Sequence, residues 1–164
     1  MKWQADKADW DKVRTQPRLV HADAHARGIG CRRLQLIVAP SFEEISVWEV
    51  RQSSEWQLIR PKVVETEPAL MVTGHEVVPF VSASLVAYFE RVVALTLPLS
   101  PDLSGYGGVD GTVYELAVFG DLYSEWRFQW WSSWPEQWRP LVELAAEMHS
   151  AFSTAVGRVA EPDV

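Results

Sequence analysis

The chain carries a single cysteine, Cys31, among its 164 residues. One thiol excludes an internal disulfide and a cysteine-based zinc cluster. Long apolar runs are missing too. Residues 77–99 form the most apolar region, but Ser82, Ser84, Glu90, Arg91 and Pro98 interrupt it before it reaches the length of a membrane-spanning helix. The opening MKWQADKADWDK has no apolar stretch of signal-peptide kind, so a cytoplasmic address is expected. Positive charge is outnumbered: 15 Lys and Arg stand against 22 Asp and Glu, a formal net charge of −7. An acidic surface repels phosphate backbones and anionic lipid, which argues against nucleic acid and membrane as partners and toward a basic protein. There are no internal repeats and no low-complexity segments.

The usual carriers of chemistry are also lacking. Ser104, Ser124 and Ser132 stand outside any GxSxG nucleophile elbow. The run GYGGVDG at 105–111 has no P-loop lysine and leads into a strand, so the helix N-terminus that would hold phosphate is absent. A turn is the better account, with Asp110 bonding its own backbone and Gly111 in a conformation closed to other residues.

What is present is globular. Apolar residues make up 48% and charged residues 23%, and the length suits one domain, 1–164, able to bury a sizeable core. Nine tryptophans are the compositional signature, and each indole needs a packed neighbour or an interface.

Along the chain, residues 3–13 suit a short helix with Trp3, Trp10 and Val13 on one face, and the rest of 1–32 reads as a connection. Residues 33–39 alternate Leu34, Leu36 and Val38 against Arg33, Gln35 and Ile37, as a strand does. Turns at PSFEE and SSE separate two further strands over 45–52 and 55–60, giving a three-strand meander within 33–64. Pro61 has no N–H to donate, so the third strand should end there or lie at an edge. A loop closed by Pro79 leads to a helix within 80–97, capped by Ser82 or Ser84, with a stripe of Leu85, Phe89, Val92 and Val93. Pro98 and Pro101 stop it.

The clearest element is a hairpin within 112–132. Tyr114, Leu116 and Val118 share a face with Trp126, Phe128 and Trp130, while Glu115, Glu125, Arg127 and Gln129 take the other. A loop of Gly120, Asp121 and Leu122 would set Glu115 opposite Arg127 and Tyr114 opposite Phe128. Ser133 and Glu136 have capping-box spacing ahead of a terminal helix over 134–157, whose buried side is Trp138, Leu141, Ala145, Met148 and Phe152. Pro140 requires its opening turn to be separate or kinked. The expected fold is α+β: a mainly antiparallel sheet, meander plus C-terminal hairpin, with helices packed on one face.

Several residues invite functional readings. His21, Asp23 and His25 could project from one side of an extended segment and hold zinc or iron, but a solvated polar linker is the better account, since no nearby glutamate and no HExxH helix supports them. His75 beside Glu76, and His149 beside Met148, are candidate acid–base groups, although nothing in the spacing brings two together. Trp126 and Trp130 fall on the apolar face and suit a core. Trp131 falls with Arg127 and Gln129 and is the candidate exposed aromatic. Glu43 and Glu44 in the first meander turn offer charge to a basic partner, and Asp121, Arg127 and Trp131 complete a candidate protein-binding set.

The segments DGTVYEL and WWSSWPEQW, an Asp-Gly turn leading an aromatic strand pair into a Pro-initiated C-terminal helix, resemble a group of small bacterial proteins. Several families of this look are immunity proteins of polymorphic toxin or type VI secretion systems. The resemblance covers 107–152 and transfers no binding residues. It implies a non-enzymatic protein that occludes a cognate toxin, with no cofactor. Two other expectations compete with it: a small enzyme or small-molecule binder with a tryptophan-lined pocket holding His75 or His149, and a structural subunit or adaptor of a bacterial assembly.

Overall fold

The computed structural model describes residues 19–20, 29–66, 69–98, 111–121 and 124–159. The expected helix over 3–13 and the His21, Asp23, His25 run lie outside them. So does most of the glycine-rich loop.

Strands β1 (Leu19–Val20), β2 (Cys31–Pro40), β3 (Ser46–Gln52), β4 (Trp56–Thr66), β5 (Ala69–Val78), β6 (Thr112–Phe119) and β7 (Glu125–Trp130) form one sheet in the order β1-β5-β4-β3-β2-β6-β7. The six strands β2 to β7 pair antiparallel, and β1 adds a short parallel contact to β5. Among the described residues two helices follow strands: α1 (Ser82–Val93), and α2 (Arg139–Val159) behind a 3-10 turn at Glu136–Trp138. The protein is α+β.

Alternation along the strands decides what is buried. Leu34, Leu36 and Val38 of β2 join Trp48, Val50, Leu58, Val78, Leu116, Val118 and Trp130 in one hydrophobic core. Leu85 and Val92 of α1, Trp138 of the 3-10 turn, and Leu141, Leu144, Ala145, Met148 and Phe152 of α2 complete it. Phe152 is the aromatic hub, with ring centroids 5.8 Å from Trp48, 5.4 Å from Phe80 and 5.8 Å from Tyr88. Such pairs each add about 0.5–1.5 kcal/mol beyond area burial.

Five expectations need correction. Residues 69–78, read as part of a loop, are a strand, so the meander has four strands. β4 also does not stop at Pro61, which sits opposite His75 in β5. Its register with β3 runs only from Trp56 to Ile59, so the residue without an N–H falls where β3 has already parted.

The hairpin register is shifted by two: Glu115 faces Gln129, Ala117 faces Arg127 and Tyr114 faces Trp130. The loop therefore spans 120–124 instead of 120–122, closed by Gly120 N–H donating to Ser124 O at 2.9 Å and Ser124 Oγ donating to Asp121 O at 2.8 Å. A shift of two keeps every side chain on its expected face.

The expected serine caps are not formed. Val81, still extended after β5, occupies the cap of α1, and its carbonyl accepts from Ser84 N and Leu85 N. Pro135 takes the cap of the 3-10 turn, and Glu136 pairs forward with Arg139 at 2.6 Å instead of back to Ser133. Pro140 is then the second residue of α2, where a missing N–H costs nothing. Finally, the α1 stripe is narrower than expected: Val93 is half exposed because it lies a hundred degrees round the helix from buried Val92.

Candidate functional site

The candidate binding residues do not converge on one place. Glu43 and Glu44 occupy the β2–β3 turn, at the end of the sheet where β6 begins and β7 ends. Trp131 follows β7 at that same end. Asp121 lies in the β6–β7 loop at the opposite end, a six-residue strand away along β7, or about 20 Å. Arg127 lies between them on β7.

The β2–β3 turn is anchored at its base. β2 leaves β3 after Val38 and continues with β6 alone, pairing Ala39 with Val113 and Pro40 with Thr112. Ser41 extends that ladder: its N–H donates to Gly111 O at 2.9 Å, its hydroxyl donates to the same oxygen at 2.7 Å, and Gly111 N–H donates back to Ser41 Oγ at 3.1 Å. Next to them Thr112 N–H donates to Ser132 Oγ at 2.7 Å, which fixes the end of β7 to the same point. Gly111 has φ +154°, and a Cβ there would stand 2.6 Å from both Ser132 Oγ and Trp131 Nε1. A side chain there would have to displace the Ser132 hydroxyl and the Trp131 indole, which lies on this glycine.

Beyond the clamp stands the residue that sequence reasoning passed over. Phe42 is 86% exposed, with Glu43 and Glu44 exposed after it. It fell within the turn PSFEE, and only its position in a turn, away from every alternating face, could have marked it as solvent-facing.

The tryptophans exchange roles. Trp131, expected outside, is half-buried over Gly111 with its indole nitrogen shielded from solvent. Trp126, expected inside, is 55% exposed. It shares the core-facing side of β7 with buried Trp130, but among the described residues β7 is the last strand of the sheet and no strand flanks it on its outer side.

Arg127 and Asp121 are engaged within the chain. Arg127 binds Glu115 and Glu125. Burial raises the Glu115 carboxyl above its ordinary range, and the Arg127 charge only partly offsets this. Burial also opposes the charge on Arg127, yet Glu125 and Glu115 together hold its pKa above the usual value. Asp121, though exposed, pairs with Arg33 at 2.8 Å, and Arg33 Nε donates to Gln52 Oε1 at 2.8 Å.

This ionic layer continues inward on the sheet face away from the hydrophobic core. Arg51 Nε donates to Glu49 Oε2 at 2.7 Å, Gln35 Nε2 donates to Glu49 Oε1 at 3.0 Å, and Arg51 Nη1 donates to Gly30 O at 2.9 Å. All three side chains are buried. Arg32 lies 3.4 Å from Glu49 and over the Phe119 ring, with its pKa lowered by burial against the pull of Glu49. Paired charges on adjacent strands of this kind fix register more than they do chemistry.

His75 lies on β5, on that ionic face, while His149 lies on α2, which packs into the core, so the two are not brought together. Burial lowers the His149 pKa. Among the described residues no three His, Cys, Asp or Glu side chains group to hold a metal ion. A groove of about 640 Å³ runs between the approach to α1 and the last turns of α2, lined by Pro79, Phe80, Val81, Ser84, Ala151, Thr154 and Ala155. Among the described residues its lining holds no tryptophan, histidine or carboxylate. No described helix is long and apolar enough to cross a membrane. No protein-family model, no curated protein and no solved structure matches this chain.

Proposed function

We propose that this is a non-enzymatic protein-binding protein that docks through the Phe42-Glu43-Glu44 tip onto a basic partner, in the manner of a cytosolic bacterial immunity protein covering a toxin. One observation carries the reading: Phe42 is 86% exposed on a turn anchored at its base by the Ser41–Gly111 hydrogen bonds. Anchoring reduces the entropy lost on binding, and an aromatic that leaves water only in the complex is the usual anchor of an interface. The two carboxylates beside it answer basic residues, which an active site that binds anionic substrates would present. The meander, the hairpin and a helix layer behind one face serve in this reading as the platform that holds the tip forward. Occlusion needs no reacting group of its own.

A weaker second reading rests on the groove at Pro79–Ala155, whose apolar lining and two hydroxyls suit a small apolar ligand. Among the described residues no titratable side chain lines it, so this reading is of binding and not of acid–base chemistry.

The test is capture of a partner from the native cell with immobilised protein, repeated with Phe42→Ala. The exchange should weaken binding by about thirtyfold, as loss of a central aromatic does, while leaving the thermal unfolding midpoint unchanged. Equal capture by the variant and the wild type would remove the tip from consideration.

A further inference from the structure

The β7 edge of the sheet has a pattern that the docking tip does not use. Among the described residues β7 is the terminal strand, and Glu125, Trp126 and Arg127 are exposed along it. Edge strands commonly carry charge of one sign, or a proline, to discourage pairing with other chains. β7 instead places an exposed indole between a carboxylate and a guanidinium.

We infer that β7 pairs antiparallel with β7 of a second copy of this chain, about a two-fold axis at Trp126 perpendicular to the sheet. Such an axis sets some residue opposite its own copy and keeps each side chain on its own face. Centring on Arg127 would drive two guanidiniums together. Centring on Phe128 would place Arg127 against a glutamine and Glu125 against Trp131. Centring on Trp126 sets Glu125 opposite Arg127 of the second copy, twice, and stacks the two exposed indoles at the axis. The positions are ready for this, because Arg127 is already held on its strand by Glu115 and Glu125, and Trp126 rests over Gly120, where a Cβ would stand 3.1 Å from its ring. The sheets of two copies would then run on as one. The Phe42 tip lies at the other end of β7 and stays free in both copies.

Sedimentation equilibrium of the full chain tests this, with unfolding midpoints recorded for every variant. The wild type should dimerise in the micromolar range. Glu125→Arg sets arginine against Arg127 of the second copy at both pairs, and Arg127→Glu sets carboxylate against Glu125. Each should weaken self-association by roughly thirtyfold. An equimolar mixture of the two variants restores both opposite-charge pairs and should give a heterodimer of wild-type affinity. Trp126→Lys, at an exposed position, should be monomeric and folded, which keeps the test decisive if Arg127→Glu leaves Glu115 without its cation and the chain does not fold. A wild-type chain that stays monomeric through millimolar concentration overturns the proposal. So does a Trp126→Lys dimer as tight as the wild type, or a mixture of folded variants that remains monomeric.

Discussion

Glu115 and Glu147 are both ion-paired glutamates, yet their surroundings push them in opposite directions. Burial raises the Glu115 carboxyl against the partial compensation of Arg127, whereas the hydrogen bonds from Arg91, at 2.8 and 2.6 Å, lower that of mostly exposed Glu147. A raised folded value means that the native state binds the proton more tightly than the unfolded chain. The Glu115 contribution to stability is therefore fully present below the unfolded value near 4.5 and lost as pH rises through the folded value. For Glu147 the sign reverses: its contribution is present above 4.5 and lost as pH falls through the lowered value. Urea unfolding across this range should show Glu115→Gln gaining on the wild type as pH rises, and the wild-type advantage over Glu147→Gln shrinking as pH falls. The second effect should be small and weakened by salt, because that pair faces water. Curves parallel to the wild type would mean that neither environment acts as described. The Glu115–Arg127 pairing was legible from alternation alone, since a register error of two preserves faces. The burial of Glu49 and Arg51 was not, because it depends on which strands flank β3, and adjacent letters do not carry that.

At the level of elements, two glycines close the turns that frame the sheet, and they should differ in how much they tolerate. Gly30 has φ +79°, and a Cβ there would lie 2.4 Å from the Gln52 carbonyl oxygen, a backbone atom that cannot step aside. At Gly111 the neighbours are the Ser132 hydroxyl and the edge of the Trp131 ring, which can rotate. Gly30→Ala should therefore destabilise by about 3 kcal/mol or more, and Gly111→Ala by about 1–2 kcal/mol, in chemical denaturation. Only Gly111→Ala should also loosen the tip, seen as faster amide exchange at Ser41 and Phe42. Equal losses at the two positions would contradict the contrast between backbone and side-chain neighbours. The Asp-Gly turn drew attention to Gly111 in the sequence. Nothing drew attention to β5, because ALMVTGHEVV has Gly74 inside it and no clean alternation, and it begins next to the proline-bearing β4. What makes it a strand is pairing with β4, a non-local term that no window of neighbours contains.

For the molecule as a whole, the apolar residues build the core from positions that periodicity already marked: Leu34, Leu36, Val38, Leu116, Val118, Leu141, Ala145, Met148 and Phe152 are all inside. The misplaced residues are Trp126, Trp131 and Val93, and the overlooked one is Phe42, each at an edge, a turn or a stripe margin, where a side chain's surroundings come from elements distant in sequence. Surface charge follows the same division. The net charge of −7 and the place of Glu43 and Glu44 in the first meander turn were legible in the sequence, but the exposure of Phe42 beside them required the fold. If the tip meets a basic partner, long-range attraction and short-range packing should separate kinetically. The association rate should fall as salt rises, because charges steer the encounter, and Glu43→Lys with Glu44→Lys should lower that rate and flatten its salt dependence. Phe42→Ala should leave the association rate nearly unchanged and accelerate dissociation, because the ring contributes only once water has been expelled. Stopped-flow measurement with the captured partner at several salt concentrations separates the two. An association rate indifferent to salt would mean that the acidic tip does not steer, and that the net charge serves some purpose other than finding this partner.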